Sequence, residues 1–367
     1  MASSIYTLPE YPCLCDVWDR LKNETRPIVI YGMGNGADKL LRRFEKYGIK
    51  VSDVFASDGF VRGHSYAGFR VKSFSEIKAE YSDFVIVLSF ASNRAEVIDL
   101  IKSIDAEYEL YIPDMPVADE AEYFDRKFYN ENYEKILLVY NLLEDDVSKK
   151  VFASVIKYKL SGKLSYLLDS STEKDEMYSL ISQKQIECVV DAGAYNGDTA
   201  KEAVGYFPHL KKIYAIEADK RNYKKLLKFA ETSRVEINAV NAAVWCECGE
   251  GVFSESGNRN SSVSATASYE NKREGVSLVT VDSIVNEKID YVKYDVEGAE
   301  HEALCGSRKV IGNFTPALLI SLYHRSRDIF FLPSYIAENF GKYRLYLRRL
   351  ASIPAWELNL ICLPIEI

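Results

Sequence analysis

Short apolar runs rich in Val and Ile alternate with polar stretches of helical spacing along most of this chain, and that alternation predicts a parallel α/β unit twice over. In the first unit the strands fall at Arg26–Tyr31, Val51–Ala56, Phe84–Ser89 and Glu109–Ile112, with an amphipathic helix over Asp38–Tyr47. In the second they fall at Gln185–Val190, Lys212–Glu217, Val235–Val240, Tyr291–Asp295 and Ala317–Leu322, with a helix over Asn222–Ala230. The second unit ends differently, because Tyr343–Arg348 and Leu358–Leu363 read as two strands joined by a loop containing Pro354. The expected fold is therefore α/β, a mostly parallel sheet with an antiparallel end preceded by a smaller Rossmann-like domain. Between the units the strand pattern lapses, and Ile136–Tyr140 and Val151–Tyr158 each space one buried helical face. The expected organisation is an extension over 1–26, a Rossmann-like domain over 27–115, a helical connector over 116–185 and a second domain over 186–367.

Composition narrows the classes. A chain of 367 residues suits two domains, and 47% hydrophobic with 27% charged residues is a globular composition. The net charge of −8 argues against a nucleic-acid partner. No apolar run reaches the roughly 18 residues of a membrane span, and Met1-Ala-Ser-Ser-Ile-Tyr6 lacks a secretory pattern, so a cytoplasmic location is expected. Seven scattered cysteines read as reduced thiols; Cys13-x-Cys15 and Cys246-x-Cys248 are each one residue short of zinc spacing.

The strongest chemical signal is Cys188-Val-Val-Asp191-Ala-Gly193-Ala-Tyr195-Asn-Gly197-Asp198-Thr199, a glycine-rich turn between a buried strand and a helix start. Thr199 and Glu202 have the spacing of a capping box at that start. In a doubly wound sheet such a turn binds a nucleotide-like cofactor, and Asp-x-Gly-x-x-x-Gly suits S-adenosylmethionine better than a dinucleotide. The same rule directs attention to the other strand ends. Glu217 is placed to accept hydrogen bonds from two ribose hydroxyls, and Asn241 with Ala242 and Ala243 falls where an adenine would sit. Tyr294-Asp295-Val-Glu297-Gly298 puts two carboxylates at the end of an apolar strand, where Asp295 needs a hydrogen-bonding or cationic partner. Asp295, Glu297 and Glu300 can form an oxygen cage for a divalent metal, but three acids on a turn are commoner without one, and no metal ligand is assigned. Ser254 to Gly275, rich in Ser and Asn, is expected to be a functional loop.

Taken together, Asp191-Ala-Gly193-Ala-Tyr-Asn-Gly197, the pair Ser261-Ser262, Leu278-Val-Thr-Val-Asp282, Val292-Lys-Tyr-Asp295-Val-Glu297-Gly298-Ala-Glu300, and Tyr323-His324 with Asp328 resemble the FkbM-type methyltransferases. The resemblance runs in order from about Ile186 to Ile367, departing at Tyr294, where such proteins often have Ile. It implies a class I methyltransferase sheet and S-adenosylmethionine-dependent methylation of a hydroxyl on a sugar, glycan or natural product. For such a reaction an acceptor proton must be removed, and His324, after the fifth strand, is the expected general base because imidazole titrates near neutral pH. Asp295 and Glu297 are the alternatives, to position the acceptor or to act as base. His301 is a weaker candidate, and His64 and His209 read as surface residues.

In the first unit Gly32-x-Gly34-x-Gly36-Ala37 fits a dinucleotide turn, with Asp58 at ribose distance downstream. That pattern alone also suits an NAD(P)-dependent oxidoreductase or epimerase, but no Tyr-x-x-x-Lys accompanies it. The segment is similar to the small Rossmann-like domain preceding some sugar-modifying acyltransferases, which implies nucleotide or nucleotide-sugar binding; a scaffold or homodimerisation role is the alternative.

Overall fold

The computed structural model describes residues 7–8, 15–61, 63, 65–118, 122–254, 262–264 and 273–365. The first sheet contains β1 (Ile28–Tyr31), β2 (Asp53–Ala56), β3 (Lys72–Ser73), β4 (Val85–Leu88) and β5 (Glu109–Tyr111), all parallel, in the order β3-β2-β1-β4-β5. Its central strands are buried along their whole length, as expected of a parallel sheet covered on both faces. Strand β3 escaped prediction because two residues carry no periodicity.

The second sheet contains β6 (Cys188–Ala192), β7 (Lys212–Ile216), β8 (Glu236–Val240), β9 (Tyr291–Tyr294), β10 (Ala317–Ser321), β11 (Tyr343–Arg349) and β12 (Leu358–Pro364). Its order is β8-β7-β6-β9-β10-β12-β11, parallel except that β12 runs antiparallel to both neighbours. The switch point, where connections leave in opposite directions, lies between β6 and β9, so the expected glycine turn and acidic turn emerge side by side.

Two local expectations are corrected. Thr199 is not a helix cap: the helix Asp198–Tyr206 starts from Gly197, in the left-handed region at φ +88°. The Thr199 hydroxyl instead accepts from Lys293 Nζ at 2.8 Å, and Glu202 pairs with Lys174 at 2.6 Å. Nor is the Ser254–Gly275 region only a loop. Gly249–Ser254 pairs antiparallel with Arg273–Val279 and with Ser262–Ser264, in a small sheet that Ala243–Val244 completes. Its Ser- and Asn-rich composition concealed these strands; Ser261 lies outside the described residues.

The connector comprises helices Arg126–Glu131, Tyr133–Leu142, Asp146–Ser161, Leu164–Asp169 and Lys174–Ile181. It joins the two sheets into one body, because a single apolar cluster runs from Val29 and Leu88 through Phe152 and Tyr158 to Val190 and Tyr294. The seam also has polar ties. Lys159 Nζ and Asp114 form a buried ion pair at 2.6 Å, and Ser92 and Ile353 exchange backbone hydrogen bonds, both at 2.8 Å. Among the described residues no helix is long and apolar enough to cross a membrane.

Candidate functional site

A cleft of about 880 Å³ opens at the carboxyl ends of β6, β7, β9 and β10. Of the residues expected there, Gly193, Tyr195, Asp198, Thr199, Glu217, Ala243, Asp295 and Glu297 line it. The turn after β6 owes its shape to two glycines. Gly193 adopts φ +87°, and a Cβ there would overlap the carbonyl of Asp295; one at Gly197 would come within 2.9 Å of the Phe229 ring. The first close approach brings the turn against the β9 end, and the second packs it on Phe229 of the helix Lys220–Ala230.

Glu217 follows β7 directly. One carboxylate oxygen accepts from Tyr195 N and the other from Asp219 N, both at 2.8 Å, so the side chain ties the glycine turn to the next strand end while facing the cleft. Burial pushes its carboxyl up to about 7. Capping of the following helix, Lys220–Ala230, falls to Asp219, which accepts from Arg221 N and Asn222 N. Asn241 stands behind the cleft: its amide donates to the carbonyls of Glu217, at 2.8 Å, and Ala218, at 3.2 Å, while Ala242 and Ala243 leave room at the cleft surface. Asp191 is also behind it, with neither oxygen hydrogen-bonded and burial raising its carboxyl to about 6.

At the β9 end, Asp295 is held on three sides. Tyr323 Oη donates to Oδ1 at 3.0 Å, Lys293 Nζ lies 3.4 Å from Oδ2, and His324 Nε2 lies 3.6 Å from Oδ1. Burial alone would raise its carboxyl, but Lys293 and His324 outweigh that and hold it below the usual range. Glu297, at φ +55°, has its Oε2 3.4 Å from His324 Nε2; burial pushes its carboxyl up to about 8 despite the imidazole. Glu300, buried, accepts from the backbone N–H of Val296 and Gly298 and sits 2.9 Å from His324 Nδ1.

His324 thus occupies a different place from that expected of a base. The ring is fully buried and does not line the cleft. Burial opposes its protonation, yet the carboxylates of Glu300, Glu297 and Asp295 lift it to about 10, so at neutral pH it is an imidazolium that already holds its proton. Among the described residues Asp295, Glu300 and His324 bring one ligand atom each within 4.8 Å of one another. That group shares Asp295 and Glu300 with the expected oxygen cage and has His324 in place of Glu297.

His301 lies away from the cleft, its ring against Phe331 and Tyr335 with Nε2 3.7 Å from Cys305 Sγ. His209 is exposed, and His64 and Cys13 fall outside the described residues. Cys15, Cys246 and Cys248 are free and exposed. In the first domain Gly32, Gly34, Gly36 and Asp58 do not reach the cleft. The Gly32 turn is filled by Phe90 and Ser89 and Gly36 abuts the Ser89 carbonyl, while Gly34 and Asn35 at the helix start are exposed, with Tyr66 Oη hydrogen-bonded to Asp38 and 3.1 Å from the Gly34 carbonyl.

Among the cleft residues that the sequence did not single out are Lys293, Asn93 and Glu357, and Tyr323 was quoted only as the neighbour of His324. Lys293 had a readable signal, a lysine in the middle of an apolar strand. Burial works against its charge, but Asp295 and Asp191 keep it protonated and above the ordinary lysine range. Asn93 and Glu357 had none, since only tertiary folding brings them there.

Residues 191–353 match the family model of the methyltransferase FkbM domain. The chain carries an FkbM methyltransferase domain. In the FkbM domain, the motif residue Asp282 accepts from Lys309 N and Val310 N, and so caps the helix Arg308–Phe314 rather than entering the cleft. The crystal structure of methyltransferase FkbM from Methylobacillus flagellatus KT is similar at TM-score 0.68 and 19% identity, covering 98% of this chain and 95% of that one, so the shared fold extends beyond the FkbM domain to the first. An rRNA methylase from Streptococcus thermophilus aligns at TM-score 0.35 and 15% identity over 52% of this chain and 95% of its own. Aeropyrum pernix fibrillarin, solved with bound S-adenosyl-L-methionine, aligns at TM-score 0.32 and 14% identity over 52% of this chain and 74% of its own. No curated protein matches the chain in sequence.

Proposed function

We propose that the chain methylates a hydroxyl of a carbohydrate or natural-product acceptor, with S-adenosylmethionine as donor. The observation that carries this reading is the meeting of the Gly193 turn, Glu217 and the Asp295–Glu297 turn in one cleft of an FkbM domain. The donor, when bound, supplies a methyl group activated by a sulfonium sulfur. The residues fit such a molecule: Glu217 offers carboxylate oxygens to ribose hydroxyls, and Ala242 and Ala243 leave space for a base.

The chain's own task is to orient a weakly acidic hydroxyl and remove its proton. Glu297 suits that task better than His324. It lines the cleft, and a carboxyl near 8 is matched in basicity to work near neutral pH. In this reading the acceptor proton passes to a Glu297 oxygen as the acceptor oxygen gains its bond to the methyl carbon and the carbon–sulfur bond breaks, its electron pair staying on sulfur. Asp295, kept ionised, accepts a hydrogen bond from the acceptor, and the His324 imidazolium steadies both carboxylates from behind.

Calorimetry on the full chain tests the donor site. S-adenosylmethionine and S-adenosylhomocysteine should both bind, and Glu217→Ala should weaken binding about tenfold or more, the loss of a hydrogen bond to a charged group. Absence of heat with both compounds overturns the reading.

A further inference from the structure

From the end of β5 the segment Pro113-Asp114-Met115-Pro116-Val117-Ala118 runs to the back of the acidic turn, buried except at Met115 and Ala118, which are half-buried. Its two prolines lack N–H donors, and the segment joins no strand or helix, so its buried carbonyls need partners from elsewhere.

Side chains from both neighbouring parts pin this strap. Asp114 takes Lys159 of the connector in the buried ion pair at 2.6 Å. Lys39, buried on the first-domain helix Asn35–Tyr47, donates from Nζ to the carbonyls of Pro116 at 3.1 Å and Val117 at 2.9 Å. The next residue meets the reacting end of the cleft from behind. Ala118 N donates to the His324 carbonyl at 3.1 Å, and a Cβ added at Gly298 would stand 3.6 Å from Ala118 Cβ and 3.1 Å from Arg325 Nε.

Both contacts fall where support is needed. Glu297 and Gly298 hold φ +55° and +99°, conformations that persist where the surroundings impose them. His324 stands 2.9 Å from Glu300, 3.4 Å from Glu297 and 3.6 Å from Asp295, and a ring set back from these carboxylates would hold its proton less firmly. The donor residue Glu217 is held separately, by Tyr195 N and Asp219 N. Lys39 touches none of the reacting groups. It fixes the two carbonyls just before Ala118, and so gives the first domain a route to the reacting end besides Asn93.

We infer that Lys39 is a positioning residue: through the strap it holds the His324 loop and the Gly298 turn in register for proton removal at Glu297. The inference rests on the methyl-transfer reading and adds to it the part of the first domain that sets the base.

Histidine-selective nitrogen-15 NMR on the full chain with S-adenosylhomocysteine reads the His324 ring, whose signal is the one lost in His324→Gln. That ring faces Glu300, Glu297 and Asp295 from the acidic turn and its helix, Asp328 from the helix Asp328–Phe340, and the neighbouring Tyr323, and the strap variants alter none of them. In the unsubstituted chain its titration midpoint should lie at about 10. Lys39→Met should lower the midpoint by about one pH unit or more. Ala118→Pro, which deletes the N–H given to the His324 carbonyl and keeps Lys39, should do the same. Lys39→Arg, still able to donate to both carbonyls, should keep the midpoint within about half a unit. Calorimetric affinity for S-adenosylhomocysteine should stay within about twofold throughout. If Lys39→Met fails to fold, Ala118→Pro decides. Midpoints unchanged in both Lys39→Met and Ala118→Pro overturn the inference, and so does loss of S-adenosylhomocysteine binding in both, since the strap then serves the whole fold. Failure of the unsubstituted chain to bind S-adenosylhomocysteine removes the methyl-transfer reading instead, while the His324 titration still decides what the strap does.

Discussion

Glu297 concentrates three unusual properties in one side chain: a left-handed backbone, a carboxyl raised by burial and an imidazolium 3.4 Å away. Its raised acidity constant gives a signed prediction. A base must be deprotonated to act, so kcat/KM should climb about tenfold per pH unit on the acid side and level off above about 8. Glu297→Gln should remove that limb and lower kcat by about 10²–10⁴, the usual contribution of a positioned base, while S-adenosylmethionine affinity stays within about twofold. A full limb retained in the variant would pass the role of base to another group. The sequence marked Glu297 and His324 as neighbours in chemistry but could not rank them. An isolated histidine titrates near neutral pH, and only the folded arrangement of Glu300, Glu297 and Asp295 around the ring converts it into a group that keeps its proton.

For the elements, the glycine turn after β6 is the tightest piece of construction. Gly193→Ala puts a Cβ where the Asp295 carbonyl stands and strains a backbone at φ +87°. Strain of this kind costs about 1–3 kcal/mol, and here it also parts the turn from the acidic strand end. The variant should unfold at lower denaturant concentration and show calorimetric affinity for S-adenosylmethionine reduced about tenfold or more; unchanged affinity would show that the two turns need not touch. Buried strands such as β1, β4 and β10 were legible in the sequence because their apolar runs are uninterrupted. What was not legible were the elements made by pairing rather than by composition. Strand β3 has two residues, and the Gly249–Ser254 strand runs into a Ser- and Asn-rich stretch that reads as a loop until Arg273–Val279 lies beside it. The helix start at Asp198 was misplaced by two residues because Gly197, with no side chain to announce a cap, does the work expected of Thr199.

At the scale of the whole molecule, the two sheets share one core and cannot be treated as separate modules. The Lys159–Asp114 pair sits on that seam with both side chains more than nine-tenths buried. Lys159→Met leaves Asp114 without its charge partner in a dry environment, which costs about 3–5 kcal/mol for a buried pair broken on one side. Equilibrium denaturation should record that loss in a single transition for both domains. Two resolved transitions, with only one displaced, would mean that the domains unfold independently. The seam was invisible in the sequence, since neither residue stands in a motif and 45 positions separate them.

The hydrogen bonds between Ser92 and Ile353 carry a further consequence. Residues 261 positions apart along the chain must meet before Asn93 is held at the cleft, whereas the Gly193 turn and Glu217 lie 24 positions apart and can assemble locally. Loss of that clasp would leave the cleft with the turns that the second domain builds alone, and without Asn93, which the first domain brings to it.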